Sequence, residues 1–229
     1  MKEVEDIFKP TTRDVLSLLS DNGVIFQIPS YQRNYSWKAA DIQRLLKDIL
    51  EASYRTIETK DLKSLCFLGS VITVNISDRF DQVSAPLNVV DGQQRLTSLV
   101  LVLLSINEFL YKNFKDLEKC PPRLKEWLQD ELDEITNRTR SCLYEVKHRE
   151  NKLNEYMPKI IRESSDTASF KVGRFKYDSP IANLLHKYAE HFLNKKEETF
   201  NWPLGNDEEC KSLRTVFEAT QDFLNSGLE

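Results

Sequence analysis

The sequence predicts an α+β protein: a small sheet with helices over residues 1–118, followed by a mainly α-helical region over 119–229. Three observations predict it. Short β-rich runs alternate with helix-periodic segments in the first half. After Cys120 the apolar residues recur at helical spacing. The chain has 229 residues, 40% hydrophobic and 30% charged, which is the composition of a globular protein with ample material for a core.

Each element has its own signal. Thr11-Thr12-Arg13-Asp14 resembles a capping box, and Val15, Leu18 and Leu19 supply a helix face closed by Gly23. Val24 to Ile28 reads as a strand that Pro29 ends. The polar and aromatic loop Ser30–Ser36 follows, and a helix starts near Trp37, with Ile42, Leu45, Leu46, Ile49 and Leu50 on one face. Leu65 to Val74 reads as a buried strand in which Gly69 marks a bulge or a close backbone approach. Leu87 to Val90 forms another strand, a candidate to pair with the previous one. The helix from Gln93 to about Tyr111 is apolar nearly all round, so burial on several sides is expected. Pro121-Pro122 opens a helix with Leu124, Trp127, Leu128, Leu132 and Ile135 on its face. Ile181 to Leu193 and Leu213 to Leu224 give two further helices.

Several function classes are disfavoured. A formal charge of −4 argues against a whole-surface nucleic-acid binder, so DNA contact requires a local patch. The densest basic run holds Arg138, Arg140, Lys147, His148, Arg149 and Lys152, followed by Lys171, Arg174 and Lys176; a solvated helix face is the ordinary explanation of such a run, and it can face DNA only if it lies beside the Tyr31 loop. No stretch approaches the ~20 apolar residues of a membrane span, and the N-terminus lacks an apolar signal core, so no membrane association and a cytoplasmic location are expected. Cys66, Cys120, Cys142 and Cys210 lie far apart, and His148, His186 and His191 share no ligand spacing, which disfavours zinc. The terminal Gly-Leu-Glu fits a chain that is part of something longer.

Three segments carry the chemistry: Ile28–Trp37 (IPSYQRNYSW), Phe67–Ser70 (FLGS) and Asp91–Arg95 (DGQQR). The first and third each follow a strand and open a helix. If those strands are neighbours, both loops emerge at one sheet edge, where ligands of α/β folds collect. Gly92 permits a tight turn, and Arg95 falls in the first helical turn, so backbone N–H groups and a guanidinium converge as a phosphate requires. Arg33 and Arg95 can each grip phosphate oxygens. Asp91 would repel phosphate unless it holds a cation, Mg²⁺ being the expected one, or orients water. Gln93 and Gln94 can donate to phosphate or position water. Tyr31, Tyr35 and Trp37 offer faces on which a base could stack. Structural readings stand beside these: an Asp-Gly turn that only caps a helix, Tyr35 and Trp37 stapling the helix after them, Gly69 as a packing glycine, Arg33 as a surface arginine.

In order and spacing, IPSYQRNYSW, FLGSVITV and NVVDGQQRLTSLVLVLL closely resemble the N-terminal domain of the GmrSD family of modification-dependent restriction proteins, over about residues 10 to 110. The resemblance implies a mixed sheet similar to the ParB and sulfiredoxin core, hydrolysis of a nucleoside triphosphate (GTP or ATP) through DGQQR, and sensing of modified double-stranded DNA with glucosylated bases or backbone phosphorothioate. It carries Asp91, Gln93, Gln94 and Arg95 over as catalytic residues. Gly92, Arg95, Thr97, Gly69 and Ser70 become the nucleotide wall, and Tyr31, Gln32, Arg33, Tyr35 and Trp37 the DNA-sensing surface. Relatives usually continue into a His-Asn-His nuclease, and no such pattern stands in this sequence, so the nuclease is expected elsewhere in a longer chain or in a partner. The residues leave open a non-catalytic binding module, and an interaction domain that assembles, for instance as a homodimer.

Overall fold

The computed structural model describes residues 10–60, 66–75, 86–113, 117, 120–149, 152–163, 165–166, 177–193, 200, 202 and 205–226, with backbone alone at 147–149 and 152–155. The fold is mixed α/β. Its elements are α1 (Val15–Ser20), β1 (Phe26–Ile28), α2 (Ala39–Thr59), β2 (Ile72–Asn75), β3 (Leu87–Asp91), α3 (Gln93–Asn113), α4 (Pro122–Ser141), β4 (Tyr144–Arg149), β5 (Lys152–Pro158), β6 (Ile160–Arg162), α5 (Pro180–Leu193) and α6 (Glu208–Ser226).

Four strands form a mixed sheet in the order β2-β3-β1-β6. β1 runs parallel to β3 and to β6, and β2 pairs antiparallel with β3. All three β1 residues are buried, as a short central strand covered on both faces requires. The buried pair Gln27 and Asn88 share a register position, and the Gln27 amide donates to the Asn88 side-chain oxygen at 2.8 Å. α3 is buried nearly all round and packs against α4 and α6, while α2 packs on α6. One hydrophobic cluster joins Phe26, Val89 and Leu96 to Tyr188 and Leu213, so the core runs without a break across residue 118.

Three local expectations need correction. The strand expected over Leu65–Val74 is only Ile72–Asn75, with Leu65 outside the described residues, and Ile72 and Val74 are exposed on an edge strand. Its shortness has a local cause: Gly69 takes φ +96°, which no extended strand accommodates. The expected apolar face of α4 is not covered by the core. Leu124, Trp127 and Ile135 stay exposed, and α4 is anchored through its C-terminal turn, where the Asn107 amide donates to Thr136 O (3.1 Å) and Thr139 Oγ1 (2.6 Å). Third, the charged stretch after α4 contains three strands. β4 and β5 form a hairpin, and β6 completes the main sheet.

A buried ion pair ties that hairpin to the N-terminal turn. Lys159 Nζ reaches Glu145 Oε1 at 2.6 Å and also donates to Asp21 O (2.6 Å) and Val24 O (3.2 Å). Glu145 in turn accepts from Gly23 N at 2.6 Å. No helix among the described residues is long and apolar enough to cross a membrane.

Candidate functional site

Because β1 and β3 are parallel neighbours, the loop after β1 (residues 29–38) and the turn after β3 open at one sheet edge. Gly92 makes that turn at φ +88° and opens α3, with Leu96 N donating to Gly92 O at 2.9 Å. A Cβ on Gly92 would lie 2.8 Å from Ser70 O and 3.0 Å from Val71 Cα, so only glycine permits this approach of two backbones. The N–H groups of Gln93, Gln94 and Arg95 have no carbonyl to bond within the helix.

Asp91 is exposed at the end of β3, and Arg95 is half-exposed one helical turn later. Among the described residues no ion pair joins them. The Arg95 guanidinium lies across Gly69, where a Cβ would come within 2.3 Å of a terminal nitrogen, and it donates to Ser70 O at 3.4 Å. A cation in the first turn of a helix opposes the helix dipole. Arg95 therefore contributes nothing to α3 by its charge, but it adds to the positive potential that an anion would meet.

The two glutamines do something else. The Gln93 amide donates to Arg33 O at 2.9 Å, and the Gln94 amide donates to Asn34 O at 3.1 Å. Gln94 also accepts from Ser36 N at 3.0 Å. Across the gap, the Gln32 amide donates to Val90 O at 2.7 Å. Tyr35 closes the set: it is buried, its hydroxyl lies 2.6 Å from Ser98 Oγ, and burial pushes its pKa well up against the opposing effect of that bond. DGQQR and IPSYQRNYSW are thus one unit, zipped together through side chain and backbone.

The sequence-predicted residues separate accordingly. Asp91, Gly92, Arg95, Gly69 and Ser70 come together around the start of α3. Tyr31, which is 71% exposed, and Arg33 present side chains outward from the pinned loop, and Gln32 lies half-buried between them. Tyr35 offers no free stacking face, since its ring is in the core, whereas Trp37 is half-buried and packs against that core. Thr97 is also buried, on the core side of α3. Arg140 is not part of an open basic face, because its guanidinium sits 4.5 Å over the Phe192 ring. The side chains of Lys147, His148, Arg149 and Lys152, and all of Lys171, Arg174 and Lys176, lie outside the described residues.

Two residues that hold the loop carry no local sequence signal. Arg162 of β6 and Glu209 of α6 pair at 3.3 Å and each bonds the loop backbone. Neither stands in a motif, and only the tertiary fold brings them there. Beside them, between the loop and the start of α6, lies a cleft of about 530 Å³ lined by Asn34, Tyr35, Ser36 and Lys38 and by the acids Asp178, Asp207, Glu208 and Glu209. Four carboxylates repel a phosphate chain, so the α3 turn, not this cleft, suits an anion.

Metal chemistry can be tested against the donor set. Among the described residues no three His, Cys, Asp or Glu side chains converge on one point. Mg²⁺ is commonly held by one or two carboxylates together with substrate phosphates. Asp91 alone fits that second arrangement, a cation shared with a bound triphosphate, and does not fit a preformed protein cage.

The model of one protein family, the N-terminal domain of the GmrSD restriction endonuclease, matches residues 15–224. The chain belongs to the GmrSD N-terminal domain family. The GmrSD match extends well beyond the 10–110 region that carries the motifs, and it takes in β6 and α6, the elements that supply Arg162 and Glu209. It makes the chain a component of a restriction system. No curated protein matches the chain closely enough to count as a relative.

Proposed function

We propose that this chain is the nucleoside-triphosphate-hydrolysing, modified-DNA-sensing module of an anti-phage restriction system. One observation carries the reading: at the start of α3 an exposed carboxylate and a half-exposed guanidinium flank unbonded backbone amides without pairing with each other among the described residues. Arg95 and the first-turn N–H groups would neutralise the phosphates, and such charge stabilisation supplies most of the catalysis in phosphoryl transfer. Asp91 would orient water or hold Mg²⁺, which when bound supplies further charge neutralisation. Gly69 and Ser70 would line the opposite wall. Tyr31 and Arg33, with Gln32 between them, would meet the modified duplex, and cleavage would fall to a nuclease domain in a longer chain or a partner.

A second reading has its own observation. Both glutamine amides donate to loop carbonyls, which ties their side chains to the loop backbone. On that reading the site holds nucleotide as a switch ligand or binds modified DNA without turnover. Phosphate release measured with ATP, GTP, CTP and UTP, with and without duplexes carrying glucosylated bases or phosphorothioate linkages, decides. Turnover of a preferred triphosphate that changes with modified DNA supports hydrolysis. Binding without release supports the switch, and neither binding nor release overturns both.

A further inference from the structure

The loop that presents Tyr31 and Arg33 is held by a buried ion pair. Arg162 and Glu209 expose only 11% and 8% of their side chains and meet at 3.3 Å. Each also holds loop backbone: Arg162 donates to Gln32 O at 2.6 Å, and Tyr35 N donates to Glu209 Oε1 at 3.3 Å. The two contacts bracket Arg33 and Asn34, whose carbonyls accept from Gln93 and Gln94. The backbone at 32–36 is therefore held by three elements, α3, β6 and α6.

Stability is a poor explanation for such a pair. Two charges leave water to form it, and an apolar pair of similar size is often as stable or more so. Burial raises the Glu209 carboxyl above its ordinary value; the Tyr35 N–H and Arg162 oppose this, and Asp207 and Asp166 add to it. The two donors that oppose the rise belong to the loop and its clasp. What an apolar pair could not do is bond Gln32 O and Tyr35 N, and those bonds hold the backbone that carries Arg33 between them and Tyr31 beside them.

We propose that Arg162 and Glu209 are positioning residues that set the presentation of Tyr31 and Arg33, so the C-terminal half of the chain governs what the N-terminal loop can contact. The part concerning DNA rests on the functional reading above; the part concerning the loop does not. The experiment uses the whole chain and the variants Arg162→Lys, Arg162→Ala, Glu209→Gln and Glu209→Ala. Amide hydrogen exchange is followed at residues 31–36, with α3 as the internal control for folding. In both alanine variants exchange at 31–36 should quicken about tenfold while α3 stays protected, the factor expected when one or two net hydrogen bonds are lost. Glu209→Gln keeps an acceptor for Tyr35 N and should recover much of the protection. Arg162→Lys keeps the charge but cannot span both acceptors and should not recover it. Affinity for a phosphorothioate duplex should fall about tenfold in the alanine variants, with DNA-independent phosphate release unchanged. Unchanged exchange at 31–36 would overturn the proposal, as would quickened exchange with undiminished duplex affinity. A wild-type chain that binds no modified duplex would instead overturn the DNA-sensing reading, leaving the exchange result to judge the clasp.

Discussion

Two stretches of chain flank the first turn of α3, and they are built differently. Residues 29–38 are held by side chains from three elements, Gln93 and Gln94 of α3, Arg162 of β6 and Glu209 of α6, and by the loop's own Gln32 reaching back to Val90 O of β3. Residues 66–71 meet the same turn through one long bond from Arg95 to Ser70 O and through two glycine contacts. The first wall is fixed by paired polar groups. The second is fixed by the absence of side chains. The former holds the loop backbone in place, whereas the latter lets the Arg95 guanidinium and the Ser70–Val71 backbone lie where a Cβ would otherwise stand.

The largest way to break this contrast is Gly92→Ala. Its Cβ would strike backbone at 2.8–3.0 Å in a left-handed conformation, and neither can yield cheaply. A stability loss of about 3 kcal/mol is expected in urea unfolding. Next is Gln94→Ala, which removes two bonds to the loop, for a loss of about 2 kcal/mol and faster amide exchange at 34–36. A variant as stable and as protected as wild type would dissolve the distinction between the walls.

Gly69→Ala sharpens it instead. The colliding atoms belong to the tip of Arg95, a flexible side chain that can swing aside, so the stability loss should be only about 1 kcal/mol. Nucleotide binding, measured by calorimetry, should suffer disproportionately because the guanidinium has moved. Far from both walls, Asp14→Ala gives the smallest effect. Asp14 caps α1 by accepting from Ser17 N at 2.9 Å, and loss of such an exposed cap is worth about 0.5 kcal/mol. Bonds from the Ser17 hydroxyl and backbone hold the Asp14 carboxyl below its ordinary 3.8. The contribution is therefore complete above that value and lost as pH falls through the lower folded value. Wild type and variant should converge in acid.

How far the sequence reveals this arrangement depends on the range of the forces involved. The helices are legible because burial imposes a repeat that a reader can count, and the α3 turn is legible because Asp91-Gly92 and Arg95 lie within five residues. Pairing of β1 with β3 enters the sequence reading only as a condition, since the residues themselves make β2 the candidate partner of β3, while the close approach at Gly69 is signalled by a glycine interrupting a β-rich run. What fails is long-range. Tyr144–Pro158 alternates in character, but its charges conceal the hairpin, and Ile160–Arg162 is too short to read as a strand without its partner β1. Gln93 and Gln94 invite a role at phosphate because glutamine donates well. Nothing local says that those donors are already taken by Arg33 O and Asn34 O. Tyr35 reads as a stacking face for the same reason, since an aromatic residue in a polar loop gives no sign of which side it faces. α4 fails in the opposite sense, since its stripe is plainly amphipathic and yet Trp127 remains 57% exposed.

The central claim is that the open start of α3 seats and turns over a triphosphate. Phosphate release by Asp91→Ala and Arg95→Ala, each checked for an unaltered circular-dichroism spectrum and unfolding midpoint, tests it most directly. The account predicts that both folded variants lose turnover, a drop of at least about a hundredfold. Wild-type rates from both would contradict it.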